Sequence, residues 1–389
     1  MVILGSVIGA GFASGKEIVA FFGRNGFFAI PFLFVSAILF FCLFFTLSKL
    51  GKSVQPNSIS DLTSAVFGKA GIAVDFGFII CLFITLSSML AGSDSIGNLV
   101  FGSGYNFCYI SIITAILTVL IISNGIKYIY KTTNIILPIM ITCIVLILFV
   151  FLFGGNFENL SSTNINFSFF DAMIYSVLYA SMNTFTNVFI ISKSSENMSK
   201  KQRIVASVLS STVILILIVL IFVSILLGGN EIFLSDMPMV SIAFSINQFF
   251  GIGYSFVLWI AIFTTICIAS YTIMEWLFQF VKNKFLCSVI VLSVGFVFSR
   301  FGFSTIVSIF YPIEGVFGAI ILLYFTIYVL KNKKTGQTIY SNNKNNFVKS
   351  TVDNKKDDIY SLKIEKQNGQ IVVTKKKRGG QVLKETKKI

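Results

Sequence analysis

The chain has 389 residues, 55% of them hydrophobic and only 12% charged, with a mean hydropathy of +0.87; this excludes a soluble globular protein and indicates a polytopic membrane protein. Histidine is absent, so imidazole metal sites, histidine general bases and histidine proton relays are excluded together, and with them most hydrolase chemistry. Of the net charge of +14, residues 331–389 supply +11, from 16 Lys and Arg against 5 Asp and Glu, so the rest of the chain carries only +3.

The first apolar stretch, residues 1–23, is interrupted by LGSVIGAGFASGKE from Leu4 to Glu17. Hydrocarbon cannot hydrogen-bond freed backbone groups, so a helix broken at mid-membrane persists only where protein, an ion or a polar ligand satisfies them. Gly5, Gly9, Gly11 and Gly15, with Ser6 and Ser14, destabilise helix and let a ligand approach the backbone. Small residues at this spacing also permit close helix packing; the adjacent Lys16-Glu17 pair tips the reading toward a site. The outer half-helix is expected to start near Ala13, where its first amides and positive dipole end suit a carboxylate. No small-residue cleavage site follows a basic start, so no cleavable signal peptide is expected.

Further stretches able to cross about 30 Å of hydrocarbon fall near residues 27–48, 72–96, 108–126, 134–153, 169–192, 204–228, 240–278, 285–300 and 305–330, giving ten spans in all. The eighth is too long for one upright helix, so Met239 to Gly251 is expected as a separate outer segment before a crossing from about Gly253. One set of alternate loops holds Lys49, Lys52, Lys69, Lys127, Lys131, Lys193, Lys200, Lys201, Arg203, Lys282 and Lys284; the other holds only Arg24 and Arg300, together with Glu158, Glu231 and Asp236. The first set is therefore read as cytoplasmic, and both termini with it, in a multi-pass protein of the plasma membrane. Spans two, four and five recur as seven, nine and ten with the loop charge bias reversed. This predicts a five-plus-five inverted repeat, about 1–153 and 169–330, with the first helix of each half broken at the pseudo-symmetry axis.

Span six carries LYASMNTFTN, with Tyr179, Ser181, Asn183, Thr184, Thr186 and Asn187, more hydrogen-bonding side chains than a lipid-facing surface tolerates, and it is expected to line a polar cavity. Span eight carries AIFTTIC, where Ala261, Thr264 and Thr265 offer neutral oxygens of the kind a dehydrated monovalent cation needs. Threonines also commonly bond their own helix at the carbonyl four residues back. Four acids lie in or near spans: Glu17, Asp94, Glu275 and Glu314. A buried carboxylate is costly unless paired, protonated or hydrated. Glu17 could pair with Lys16 or carry a proton, Glu275 could reach the headgroups, and Pro312 is expected to kink span ten beside Glu314. Cys42, Cys81, Cys108, Cys143, Cys267 and Cys287 stand singly and read as packing residues. The basic tail, 331–389 with Lys375-Lys376-Lys377-Arg378, is read as solvated and largely disordered, against anionic lipid or a cytoplasmic partner, and not as a nucleic-acid binder.

GAGFASGKE (Gly9 to Glu17), LYASMN (Leu178 to Asn183) and AIFTT (Ala261 to Thr265) resemble the YkvI-type membrane proteins, a branch of the amino acid-polyamine-organocation superfamily with the LeuT-like fold. The resemblance covers residues 1–330. It implies an all-α fold of about ten transmembrane helices with helices one and six broken, and a secondary transporter of an amino acid or related amine, with a permease-like ligand sensor as the alternative. By position, it implies a solute site of Gly9, Ala10, Gly11, Phe12, Ala13, Ser14, Gly15, Glu17, Tyr179, Ser181 and Asn183. It also implies a cation site of Gly5, Ile8, Ala261, Thr264 and Thr265. Sodium or a proton would be the coupling ion, with no other metal and no cofactor. Some proton-coupled relatives place a lysine from helix five at the cation position, and Ile135 to Phe153 holds no charge. Two departures stand out: Lys16 replaces the family's usual glutamine, and eight residues before Gly9 give about 12 Å of helix against roughly 15 Å needed to reach mid-membrane. Residues further upstream are expected for that reason. No nucleophile-base pair can be assembled without histidine, so no enzymatic activity is expected.

Overall fold

The computed structural model describes residues 2–102, 109–124, 127–155 and 167–335, with the strand segments of the tail; Cys108 and Glu158 lie outside the described residues. The first span is three short helices, α1 (Val2–Val7), α2 (Ala10–Ser14) and α3 (Lys16–Phe22), and a 3-10 stretch Gly23–Ala29 leads into α4 (Ile30–Val54). After α5 (Ile59–Phe67) come α6 (Gly71–Phe101), α7 (Tyr109–Asn124) and α8 (Lys127–Gly154). The second half comprises α9 (Phe169–Phe185), α10 (Val188–Ser194), α11 (Lys200–Leu227), α12 (Gly229–Leu234), α13 (Pro238–Ile246), α14 (Gln248–Leu277), α15 (Lys284–Ser299), α16 (Phe303–Thr305) and α17 (Tyr311–Thr335). Among the described residues six helices are long and apolar enough to cross a membrane, seven when the bent pair α9 and α10 counts as one span. α7 and α15 are the shorter apolar helices at the expected fourth and ninth spans.

Local chemistry sets several boundaries. Ser199 caps α11 by accepting from the Gln202 amide at 3.3 Å while the Gln202 side chain accepts from the Ser199 amide at 2.8 Å, a reciprocal box that satisfies two otherwise orphaned donors. Asn247, in extended conformation, separates α13 from α14 and caps the latter through the Phe250 amide at 2.9 Å. The outer segment before span eight is thus present, but it ends at Ile246 and the crossing helix begins at Gln248, earlier than about Gly253.

Small residues draw the site-bearing helices together. A Cβ on Gly51 in α4 would overlap the backbone carbonyl oxygen of Ser192 in α10. Ser176 of α9 donates to the Phe32 carbonyl at 3.0 Å, and Ser36 of α4 donates to the Ser176 carbonyl at 3.2 Å. α17 lies against α9 through Gly315 and Gly318, where an added Cβ would meet the Leu178 carbonyl oxygen at 2.7 Å and Phe185 Cβ at 2.8 Å. This is the close backbone approach that membrane helix pairs use in place of a hydrophobic driving force.

In the tail, strands β1 (Asn342–Asn343), β2 (Asn346–Lys349), β3 (Tyr360–Gln367), β4 (Gln370–Lys377) and β5 (Val382–Lys387) pair in chain order, all antiparallel. YSLKIEKQ alternates apolar and polar residues, and the pairing of Gln367 with Gln370 leaves only Asn368-Gly369 between β3 and β4, the dipeptide favoured in two-residue hairpin loops.

Candidate functional site

The first span is interrupted twice. At Ile8 and Gly9 the backbone leaves the helix: Gly9 is extended, and its amide donates to Val7 O at 2.8 Å instead of to Gly5 O, which it would reach in a continuous helix. Gly9 is partly accessible within an otherwise buried run, and a Cβ there would meet nothing within 4 Å. The second interruption is Gly15, left-handed at φ +79°, a conformation that favours glycine. Ser14 closes this turn, its hydroxyl donating to Gly11 O at 2.6 Å and accepting from the Lys16 amide at 3.1 Å. The outer part therefore starts at Ala10 and not near Ala13. Ala13 donates its amide to Gly9 O at 3.0 Å, and Gly15 donates its amide to Phe12 O at 3.1 Å, so these amides already have partners where a carboxylate was expected to find them free.

Lys16 and Glu17 point apart. The Lys16 ammonium donates to Ser235 O at 2.7 Å and Leu234 O at 3.4 Å, between α12 and α13, which removes the first of the two alternatives for Glu17, a pair with Lys16. The Glu17 carboxyl folds back to Gly11, where a Cβ would overlap its Oε1, and Oε2 is buried without a hydrogen-bond partner. Glycine at position 11 is thus what leaves room for the carboxyl beside the helix break.

Span six brings Tyr179 to the same place. Its ring stands edge-on to Phe21 at 5.3 Å and to Phe22 at 5.4 Å between centroids, and its buried hydroxyl has no hydrogen-bond partner. The helix bends by 61° between α9 and α10 at Thr186 and Asn187, without any glycine. The side chains there turn back on their own backbone: Thr186 donates to Met182 O at 3.1 Å and Asn187 to Asn183 O at 2.9 Å, the local competition that loosens a helix. Asn183 donates to Tyr179 O at 3.2 Å. Ser181 is buried, and its carbonyl lies against Gly318 of α17.

In α14 the hydroxyls of Thr264 and Thr265 both donate to Ala261 O at 2.9 Å, which places the three oxygens of the cation set from this helix together. From the first span, Gly5 packs against Leu137 of α8. α14 meets the first span at α2, where Tyr254 donates its hydroxyl to Ala13 O at 2.6 Å, whereas α1 packs on α10 and α11.

Of the four acids, two are paired. Asp94 accepts from Arg300 at 2.8 Å and from the Ser111 amide at 2.8 Å, and Glu275 accepts from Lys284 at 3.1 Å. Glu17 and Glu314 are buried, and among the described residues neither forms an ion pair. Glu314 follows a π-helical turn, Ile306–Phe310, and Pro312. Its Oε1 is buried without a partner; the next residue, Gly315, lies against Leu178 of α9, beside Tyr179, whose ring stands on Phe21 and Phe22 of the helix that carries Glu17. Tyr311 donates to Ser88 of α6 at 3.0 Å. The sequence pointed to Glu314 as an acid but did not place it with Glu17; the available signal was the lack of Lys or Arg in span ten before residue 331 to neutralise it.

No family model matches the chain. The fold is that of the LeuT-like carriers. The structure is similar to that of MhsT in complex with L-phenylalanine, with a TM-score of 0.58 at 12% identity, covering 86% of this chain and 88% of that one. It is also similar to Mhp1, a nucleobase-cation-symport-1 transporter, closed with bromovinylhydantoin bound, with a TM-score of 0.59 at 11% identity, covering 86% and 78%. In sequence the chain is similar to the uncharacterized membrane protein YkvI of Bacillus subtilis, 24% identical over 321 residues that cover 81% of this chain and 90% of that protein. YyaD of the same organism, an uncharacterized protein, is 26% identical over 353 residues, covering 86% and 96%.

Proposed function

We propose that the protein is a secondary transporter that alternates access to a small polar solute, an amino acid or related amine, in the plasma membrane. The observation that carries this is the break at Gly9, where exposed backbone faces open space beside the buried polar groups of Glu17 and Tyr179. Backbone unwound inside a membrane is tolerated where it lines a cavity or a site, and the likeness to MhsT and Mhp1, both described with small organic ligands, supports the reading. No covalent chemistry is needed: the solute meets the backbone around Gly9 to Gly11, and span six orients it from the other side. A sodium ion at Ala261, Thr264 and Thr265 would bias the gating equilibrium by binding one state better than the other, and Gly5 and Ile8 would complete its shell in a packing where α14 meets the first span at α1 and not, as here, at α2. The test is uptake in proteoliposomes with a panel of labelled amino acids and amines, in sodium and in choline. Gly11→Leu, which drives a side chain into the Glu17 carboxyl, should abolish flux of whichever solute is carried. Normal flux in that variant would remove the site assignment. Sodium dependence that survives Thr264→Ala combined with Thr265→Ala would remove the cation site.

A further inference from the structure

Three buried polar atoms from three spans are left without hydrogen bonds, Glu17 Oε2, Tyr179 Oη and Glu314 Oε1, and the elements that bear them pack together: the Tyr179 ring stands on Phe21 and Phe22 of α3, and Gly315, next to Glu314, lies against Leu178, next to Tyr179. Glu17 is 6% exposed, Glu314 2% and Tyr179 0%. Orphaned polar atoms in a packed interior are rare and call for a partner that the chain itself does not supply. The elements around them confirm the deficit. On α3 the one cation is Lys16, committed to the carbonyls of Leu234 and Ser235. On α9 the only charged residue is Asp171 in its first turn. Ser88 of α6 is taken up by the hydroxyl of Tyr311, which opens α17. Apart from Lys16, no Lys or Arg lies on α3 or α9, and a charged carboxyl at membrane depth is costly unless it is paired, protonated or hydrated.

The missing partner has a definable chemistry. A primary ammonium carries one positive charge, three donors and no acceptor, which matches two carboxyl oxygens and one phenol oxygen without leaving a new orphan. A carboxylate would meet like charge from Glu17 and Glu314 here. We propose that Glu17, Glu314 and Tyr179 form a binding site for the primary ammonium group of a cationic amine, the solute of the carrier. Glu314 follows the π-helical turn Ile306–Phe310 and Pro312; such turns recur at functional sites. The inference rests on the transporter reading for the word solute, but the site itself does not.

The experiment is thermal unfolding of the purified full-length protein in detergent with ethylamine, putrescine, alanine, acetate, and sodium or choline chloride. A ligand of the folded state raises the transition temperature with concentration. Ethylamine or putrescine should stabilise the wild type, Glu314→Gln should weaken the apparent affinity at least tenfold, and Tyr179→Phe about threefold. Each variant's unliganded transition is read in the same scan; should Glu314→Gln not fold, Glu17→Gln and Tyr179→Phe carry the comparison. Stabilisation by acetate or alanine but not by the amines would overturn the site. So would amine affinity unchanged in the carboxyl variants, or a sodium effect that Glu314→Gln abolishes while amines do nothing. Counterflow of labelled putrescine separates the two readings. Amine binding without flux removes the transporter and leaves the site, whereas alanine flux indifferent to Glu314→Gln removes the site and leaves the transporter.

Discussion

At the scale of single residues, the glycines of this chain divide by what stands in front of them. Gly9 faces open space and has a backbone that any residue adopts, Gly11 faces a carboxyl at the end of a side chain, and Gly51 faces the backbone carbonyl of Ser192. Only the last neighbour has no means of yielding. Overpacking a close-fitted interface costs about 1–3 kcal/mol, so Gly51→Ala should lower the thermal transition in detergent by several degrees, while Gly9→Ala should leave it within about a degree. A matched loss in both variants would show that helix propensity, and not the meeting of α4 with α10, governs these positions. The same division bears on what the sequence can tell a reader. Glycine spacing in LGSVIGAGFASGKE announces a break, but it does not say which glycine opens it, because that depends on which carbonyl each amide finds. Gly9 and Gly15 both interrupt, and the turn between them consumes the Ala13 and Gly15 amides.

At the scale of elements, interruption is stabilised from outside the helix that bears it. Ala13 O receives the Tyr254 hydroxyl at 2.6 Å from α14, a bond between the interrupted first span and the helix that carries Thr264 and Thr265. Removing the donor leaves a buried carbonyl unmet, at a cost of about 1–3 kcal/mol. Tyr254→Phe should lower stability by that order and weaken any sodium-dependent stabilisation more than Tyr311→Phe does, since Tyr311 bonds Ser88 instead; equal effects would dissociate α14 from the break. Here legibility from sequence was uneven for a physical reason. The spans, and the separate segment before span eight, follow from hydropathy and length, which are local properties. The bend at Thr186 and Asn187 has no glycine to mark it and arises from side chains competing for their own backbone. The packing of α17 and α9 around Gly315 and Leu178 joins residues more than 100 positions apart, and hydropathy has nothing to say about it.

At the scale of the whole molecule, one acidic residue on the face that the loop charges assign to the outside bonds two helices. Asp236, just before α13, accepts from Ser95 of α6 at 3.0 Å and from Ser304 of α16, and it attracts Lys16, which is held by the two carbonyls preceding it. Nearby, Arg300 joins α15 to Asp94 of α6 at 2.8 Å and to Ser111 of α7 at 3.1 Å. Through its two carbonyl bonds, Lys16 joins the first span to the segment that carries Asp236. If the molecule alternates between two packings, a contact made in only one of them sets their ratio. Hydrogen bonds to a charged group contribute about 1.5–3 kcal/mol, and about 1.4 kcal/mol is a tenfold change in population. Asp236→Ala should therefore open this face at least several-fold more often. Gly9→Cys in a background without the native cysteines places a thiol in the open space at the break, and its labelling rate by a membrane-impermeant maleimide reads that opening from the side facing the reagent. The rate should rise about tenfold with Asp236→Ala and change little with Glu275→Ala, whose partner Lys284 lies at the other end of the spans. An equal rise in both would mean that loosening the bundle anywhere exposes Gly9, and that Asp236 holds no gate.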